Sequence, residues 1–426
     1  MTLFCLQVLG GNVSQADWDR LQYYSRKVKS FAAMSDEAAD DFEVHPSTYL
    51  RIAQLQSSSL LPSLRHLRCT LCDMSIFLFQ SPLLESLELH NISGNENTIV
   101  GPFLTTLSSQ MLNRIVLNSG RLSADIFKKS IVHFKHLRSL ELIDAVFMSD
   151  FTLLEVLGTL PSLENLTLEA NDPVSHPAQA PDSISQSGGR KYFDALASLC
   201  VTGTFFLIQH LLRFIDSPCL ESINICAVFN HDREPEDLFT PSMTIVASKW
   251  SQSLKNLSID IDLGDIEYGY AISKGLMLLT DLHEMQTFNL IGWRMENMDD
   301  DVRRLVMSWP KLRTLNLRLN QTSISLSTLR IIAENCPKLR FLRIPLDIST
   351  IPPFDTSIKS LRHNLEVLIV LNIHPSAQTT LECQIQVTRY LYLIFPYLKF
   401  IRVDPNNITW SGICDLFKLC QDTRLD

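Results

Sequence analysis

From Ser308 to Asn320 the chain reads Ser-Trp-Pro-Lys-Leu-Arg-Thr-Leu-Asn-Leu-Arg-Leu-Asn, which sets Leu312, Leu315 and Leu317 at L-x-x-L-x-L spacing with Asn320 three residues on. In an extended segment successive side chains point to opposite faces. Leu315 and Leu317 then turn together into a core, while Thr314, Asn316 and Arg318 turn to water. The same spacing returns down the chain, with first slots at Leu64, Leu84, Leu112, Leu137, Leu163, Leu196, Leu220, Leu254, Met285, Leu312, Leu339, Leu365 and Leu398. In each copy an apolar residue or cysteine stands three and five positions later.

Thirteen copies at a mean spacing of about 28 residues are the pattern of a leucine-rich repeat. A period that long leaves room for a helix in each unit. Ser123 to Val132 carries Ile126, Phe127, Ile131 and Val132 at helical spacing. Ser149 stands ahead of Phe151, Leu154, Val156 and Leu157, and Leu326, Leu329, Ile332 and Ala333 form the clearest face. Proline recurs two residues before the first slot, at Pro62, Pro82, Pro161, Pro218, Pro310, Pro337 and Pro396, where it ends a helix and aims the chain into the next strand. The expected fold is an α/β leucine-rich-repeat solenoid of about 13 repeats, with a parallel inner sheet and outer helices. It bends into a horseshoe because helices about 10 Å wide outspan strands about 4.8 Å apart.

Three domains follow: residues 1–59 as an N-terminal cap with divergent repeats, 60–408 as the repeat array, and 409–426 as a C-terminal capping helix. In the first, Leu3, Leu6 and Val8 have the spacing of a decayed repeat, and Ser14 with Asp17 opens a helix whose Trp18, Leu21, Ser25 and Val28 share one face. Arg26 to Phe31 reads as a first divergent strand, and acidic Met34 to His45 as a loop. Asn171 to Arg190, rich in Pro, Ser, Ala and Gly, reads as a loop insertion, and His231 to Thr240 as a shorter one. In the capping helix Trp410, Ile413, Leu416 and Phe417 are the expected buried face.

Composition narrows the function. With 37 basic against 46 acidic residues the chain carries a formal charge of −9 and no basic tract, which argues against nucleic acid. The longest apolar run, Phe205 to Ile215, is cut by Gln209, His210 and Arg213 and falls short of the ~20 residues of a membrane span. No basic leader precedes Phe4-Cys5-Leu6, so a cytoplasmic or nuclear protein is expected. Cys69 and Cys72 make a lone C-x-x-C, but Cys69 fills a leucine slot, and the acids from Asp260 to Glu267 lack the twelfth-position glutamate of a calcium loop. Asp299, Asp300 and Asp301 read as the charged start of a helix ending near Ser308. Asn165 and Asn256 head glycosylation sequons inside strands, where modification is not expected. No nucleophile, metal or phosphate-loop motif is present, so neither catalysis nor a metal or cofactor is expected.

What remains is the open face between the leucines. It reads His66, Arg68, Thr70, Ser86, Glu88, His90, Glu141 and Glu169 near the start, then small and polar from Ser198 to Asn316. Toward the end it turns apolar and basic at Phe341, Arg343, Val367, Ile369, Leu371, Phe400 and Arg402. Large apolar groups with arginine are what interface centres favour, so these seven are the candidate partner-binding residues.

The stretch Leu326 to Ile344, Leu-Ser-Thr-Leu-Arg-Ile-Ile-Ala-Glu-Asn-Cys-Pro-Lys-Leu-Arg-Phe-Leu-Arg-Ile, resembles the cysteine-containing repeat of F-box/leucine-rich-repeat proteins. Asp17 to Val28 and Leu60 to Leu67 are similar to the large fungal set of that family. The resemblance implies a substrate receptor of an SCF-type ubiquitin ligase, whose repeat face holds the protein to be ubiquitinated. The Leu-Pro-x-Glu opening of an F-box is missing ahead of Trp18, so binding of the ligase adaptor is expected only with an F-box upstream. A regulator of a small GTPase, or a scaffold unrelated to ubiquitin, is the alternative.

Overall fold

The structure, a computed structural model, describes residues 5–7, 14–33, 42–44, 48, 51–52, 54, 59–70, 74–92, 97–107, 111–118, 124–143, 151–170, 192–228, 235–262, 272–292, 295, 297–318, 322–353, 361, 363–371, 380–403 and 408–425. The chain divides into two compact units, Met1–Leu199 with Ile215–Ser217, and Cys200–Phe214 with Pro218–Asp426. Each is an α/β leucine-rich-repeat solenoid in which parallel strands alternate with helices.

The first unit holds β1 (Cys5–Gln7), β2 (Ser30–Ala33), β3 (Phe42–Val44), β4 (His66–Cys69), β5 (Ser86–Leu89), β6 (Arg114–Asn118), β7 (Ser139–Ile143) and β8 (Asn165–Glu169). From β4 to β8 the strands pair in chain order, all parallel, with Leu67, Leu87, Ile115, Leu140 and Leu166 in register. A divergent strand exists but lies later than Arg26 to Phe31: β2 begins at Ser30, with a turn at residues 26–27 ahead of it, pairs with β4 and places Phe31 beside Leu67. Its neighbours differ from expectation. β1 does not continue the repeat but pairs with β3, and β3 lies where a loop was expected. A segment of three residues takes its strand partner from whatever edge is open, not from its own spacing.

In the second unit run β9 (Ser198–Gly203, with the division after Leu199), β10 (Ser222–Val228), β11 (Asn256–Asp262), β12 (Thr287–Ile291), β13 (Thr314–Arg318), β14 (Ile324–Ser325), β15 (Phe341–Asp347), β16 (Val367–Leu371) and β17 (Phe400–Arg402). Ile223, Leu257, Phe288, Leu315, Leu342, Leu368 and Ile401 stand in register across β10 to β17, with the short β14 paired to β15 off this path. In β13, as read from the sequence, Leu315 and Leu317 are buried, Thr314 and Asn316 half-buried and Arg318 exposed. Asn320 lies outside the described residues.

A repeated piece of backbone wiring sets the strand spacing. In repeat after repeat the residue following the first slot accepts two successive N–H groups from the next repeat, as Arg65 O from Glu85 and Ser86, Arg138 O from Glu164 and Asn165, Arg313 O from Arg340 and Phe341, and Glu366 O from Lys399 and Phe400. Ahead of it the first-slot N–H closes a turn onto the residue three before, as Leu312 onto Trp309, Leu339 onto Cys336 and Leu398 onto Phe395. Pro310, Pro337 and Pro396 occupy the second turn position, where a fixed φ favours the turn. The recurrent proline is therefore a turn residue as well as a helix stop.

Helices fill the intervals. Ala124–Ile131, Phe151–Gly158 and Leu326–Asn335 lie where periodicity predicts them, the last capped by Ser325, whose Oγ accepts from the Thr328 N–H. Residues 171–190 lie outside the described residues. Of the shorter insertion, residues 231–234 lie outside the described residues and the rest is no loop: Pro235–Trp250 is one helix with Phe239 fully buried. Proline suits the first helical position and acids the first turn, so the charged start belongs to a helix. At the N-terminal helix Gln15–Ser25 the Ser14 cap forms as expected, accepting from the Asp17 N–H at 3.2 Å. Its shared face is only partly covered: Ser25 is buried, Trp18 and Val28 are half-buried, and Leu21 remains 40% exposed. The C-terminal helix Ile408–Leu425 buries Trp410, Ile413 and Phe417, with Leu416 half-buried, and packs on helix Leu381–Ile394.

Candidate functional site

The seven candidate residues of the second unit fall on three adjacent strands and form a lattice. Phe341, Val367 and Phe400 stand level across β15, β16 and β17; Arg343, Ile369 and Arg402 form the next level; Leu371 sits above on β16 beside Pro345. Val367, Ile369 and Leu371 make an apolar column up β16, flanked by two aromatics at one level and two arginines at the next. Phe400 is 59% exposed, Arg402 is exposed, and the other five are half-buried. The C-terminal helix leaves Phe400 open. It packs on helix Leu381–Ile394, including a Tyr392–Phe417 ring pair at 6.0 Å, and reaches the β17 backbone, where Cys414 Sγ donates to Ile401 O at 4.0 Å and Gln421 Nε2 to Leu398 O.

The electrostatics of this face are one-sided. Arg318, exposed on β13, Arg343 and Arg402 form no ion pair among the described residues. The acid on these strands, Asp347, is turned to Ser349, with Oδ1 accepting its N–H at 2.8 Å and Oδ2 its hydroxyl at 2.9 Å. Arg343 Nε and Asn316 Oδ1, on residues directly paired across β13 and β15, are both closed off from water without a hydrogen-bond partner. Buried polar groups left unsatisfied are rare in folded proteins.

In the first unit the open side of the strands is charged, and its arginines are paired with its own acids. Arg114 on β6 reaches Glu88 on β5 at 2.6 Å and Glu141 on β7 at 3.0 Å; Glu88 is also approached by Arg68 at 3.5 Å and by His90 Nε2 at 3.9 Å. Glu88 and Glu141 flank Val116 in the register, so the Arg114 guanidinium spans over it, and Val116 is only 3% exposed. Thr70 is not part of the open face; it is buried, with its hydroxyl donating to Ala33 O at 3.1 Å. Between these regions in sequence Asn224, Asn256, Ser258 and Asn289 stay exposed or half-buried, and Asn224 Nδ2 donates to Cys200 Sγ at 3.4 Å.

Several residues escape a reading confined to strand alternation. Arg114 occupies an open-face slot that the residues named from the sequence do not include and, with the expected Arg318, completes the charge pattern. Side chains just after the first slot build ion pairs along the strand-entry rim: Arg65–Glu85 at 2.9 Å and Arg138–Glu164 at 3.6 Å in the first unit, Glu221–Lys255 at 2.5 Å and Glu366–Lys399 at 3.0 Å in the second. The Lys399 hydrogen bond, with the Lys399 and Arg340 charges, holds the Glu366 carboxyl below its usual range. Asp299 and Asp301, read as charges on their own helix, reach outside it: Asp299 Oδ1 accepts the Ser325 N–H at 2.9 Å and Asp301 Oδ2 the Ser273 hydroxyl at 2.6 Å. His363 stands where other repeats have proline, two residues before Leu365. Its Nδ1 accepts the Leu365 N–H at 3.1 Å, so Nε2 carries the proton and donates to Cys336 O at 2.8 Å.

Cys69 fills its leucine slot, buried, and Cys72 lies outside the described residues. Burial pushes the Cys336 thiol up to about 12, which keeps it protonated and poor as a nucleophile. Among the described residues no three His, Cys, Asp or Glu side chains come together as a metal site, and no helix is long and apolar enough to cross a membrane.

No family model and no curated protein matches the chain. Among solved structures it is similar to a crystal structure of a Bacteroides fragilis protein at 15% identity and a TM-score of 0.34, over 57% of this chain and 68% of that one. The fold assignment stands instead on the repeat's own register and hydrogen bonding.

Proposed function

We propose that this chain is a non-enzymatic protein-binding module that captures another protein on the β15–β17 face. Its role is substrate recognition for an F-box-type ubiquitin ligase receptor of the fungal leucine-rich-repeat kind. The binding half is supported by one observation above the rest: Phe341, Val367, Ile369, Leu371 and Phe400 form a contiguous apolar patch on the open side of a sheet, with Phe400 left 59% exposed by the C-terminal helix. The receptor half is supported by the likeness of Leu326 to Ile344 to the family's cysteine-containing repeat. The ligase adaptor joins only through an F-box upstream.

The combined variant Phe341→Ser/Ile369→Ser/Phe400→Ser tests the binding half. A photo-crosslinking amino acid at Leu371 of the otherwise wild-type chain marks a discrete partner in cells, and the triple variant loses that adduct while its melting temperature stays within a few degrees. An unchanged adduct removes this face as the binding surface, and a collapsed melting temperature makes the three residues core. Co-purification of the full-length chain with the ligase adaptor tests the receptor half; its failure removes that half alone.

A further inference from the structure

The open face specifies more than an apolar contact. We infer that its occupant is an acidic linear segment of a partner protein, two carboxylates spaced acid-x-x-acid with an apolar side chain between them, laid across β15, β16 and β17. This rests on the binding half of the proposed function.

Charge carries the first step. The described strands hold five arginines: Arg68, Arg114, Arg318, Arg343 and Arg402. Arg68 and Arg114 face Glu88 and Glu141, whereas the other three, all in the second unit, have no carboxylate within ion-pair reach among the described residues. Nearby acids are already engaged, Asp347 with Ser349 and Glu366 with Lys399 and Arg340. A chain with nine more acids than bases thus leaves two unpaired strand arginines, Arg343 and Arg402, flanking one apolar column, and the third, Arg318, two strands away. Electrostatic complementarity calls for a negative occupant.

Spacing carries the second. Arg343 and Arg402 stand level with Ile369 between them, two strand spacings apart or about 10 Å. Three residues of a polyproline-II chain span about 9 Å and bring side chains i and i+3 back to the same side, so carboxylates there meet both guanidinium groups. An apolar residue at i+1 or i+2 then lies on Ile369, and Val367 and Leu371 give it room to either side. A phosphate group is served by arginines that converge on one point, which these two, held apart by Ile369, do not do. The Arg343 Nε and Asn316 Oδ1 left without partners mark the end of the face where the free state is least satisfied; a carboxylate that draws the guanidinium outward supplies the missing acceptor.

Selection of phage-displayed random 12-residue peptides on the full chain tests this. The wild type enriches Asp or Glu at i and i+3 around an apolar residue. A fluorescein-labelled consensus peptide then binds Arg343→Glu/Arg402→Glu about 30-fold more weakly, the loss of two exposed charge pairs and the gain of two repulsions. The same peptide with lysines at i and i+3 regains affinity for that variant. Pools without acidic enrichment, or no selectable peptide at all, overturn the inference. So does a phosphoserine peptide that binds more tightly than the carboxylate one. If non-acidic pools are selected and Phe341→Ser/Ile369→Ser/Phe400→Ser abolishes them, the face still binds and only its assigned chemistry falls. If that variant selects the same pools as wild type, the binding reading itself falls.

Discussion

Arg114 on β6 and Arg343 on β15 project from the same side of the same kind of sheet, yet one is held between two glutamates and the other has an Nε donor with no acceptor. The register explains the difference. Arg114 is level with Ser86 and Ser139, small enough for the guanidinium to reach past, and Glu88 and Glu141 wait one position up on either side. Arg343 is level with Asn316 and Ile369, which offer no negative charge. A repeat scaffold fixes where side chains point and leaves open what they meet. The first region spends its charges on itself, while the second presents them.

The two regions are alike in their cores, and a pair of substitutions checks that first because the effect is largest. Leu140 and Leu342 are fully buried at matching slots of β7 and β15. Leu140→Ala and Leu342→Ala should each cost about 2–5 kcal/mol by urea denaturation, the range for truncating a buried leucine. A cost under about 1 kcal/mol at either site breaks the alternation on which the comparison depends.

The open faces should then part company. Arg114→Ala removes the cation between Glu88 and Glu141 and leaves two carboxylates to repel across Val116. A loss of about 1–2 kcal/mol is expected, shrinking as salt is raised. A cost indifferent to salt would mean that the arginine stabilises by packing its stem rather than by its charge.

How much of this was legible follows from the range of each interaction. Alternation in β13 is visible in thirteen consecutive letters because period two is local. The Arg114 bridge links residues 26 and 27 positions away and becomes readable only once the register is known. Misreadings share that cause. Pro235 to Thr240 looked like a charged loop because its burial rests on Phe239, whose environment lies repeats away in sequence. The Trp18 to Val28 face looked apolar, but an amphipathic pattern states a preference and cannot supply the surface that covers it. Of the candidate site, the identity and contiguity of its seven residues came from spacing alone, and the isolation of its arginines did not.

The turns offer a subtler contrast. The repeat entering β5 uses Pro82, which cannot titrate, whereas the one entering β16 uses His363. Burial is the main cause that lowers the His363 pKa from 6.5, opposed by the hydrogen bond to Cys336 O. Below its folded-state pKa a proton on Nδ1 would meet the Leu365 N–H head-on. Since the folded form resists protonation more than the unfolded, its contribution is whole above about pH 6.5 and is lost as pH falls through the lower folded value. The Leu365 amide should therefore lose hydrogen-exchange protection as pH is lowered from about 7.5 through the folded His363 value, beyond the intrinsic pH effect, and His363→Gln, which keeps a donor but does not titrate, should abolish the excess. Equal loss of protection in both proteins would remove His363 as the cause.

The smallest change in stability is expected where the binding consequence is greatest. Arg343→Ala deletes a donor that the free protein leaves buried and unsatisfied, so the lost stem packing is offset by a removed desolvation cost. The shift should lie within about 0.5 kcal/mol of zero, unlike Arg114→Ala, although both remove an arginine from the open face of a parallel sheet. Urea curves of the two variants at low salt measure that contrast directly. If Arg343→Ala costs as much as Arg114→Ala, the second arginine has an internal partner in solution, and the division between a self-paired face and a presented one is gone.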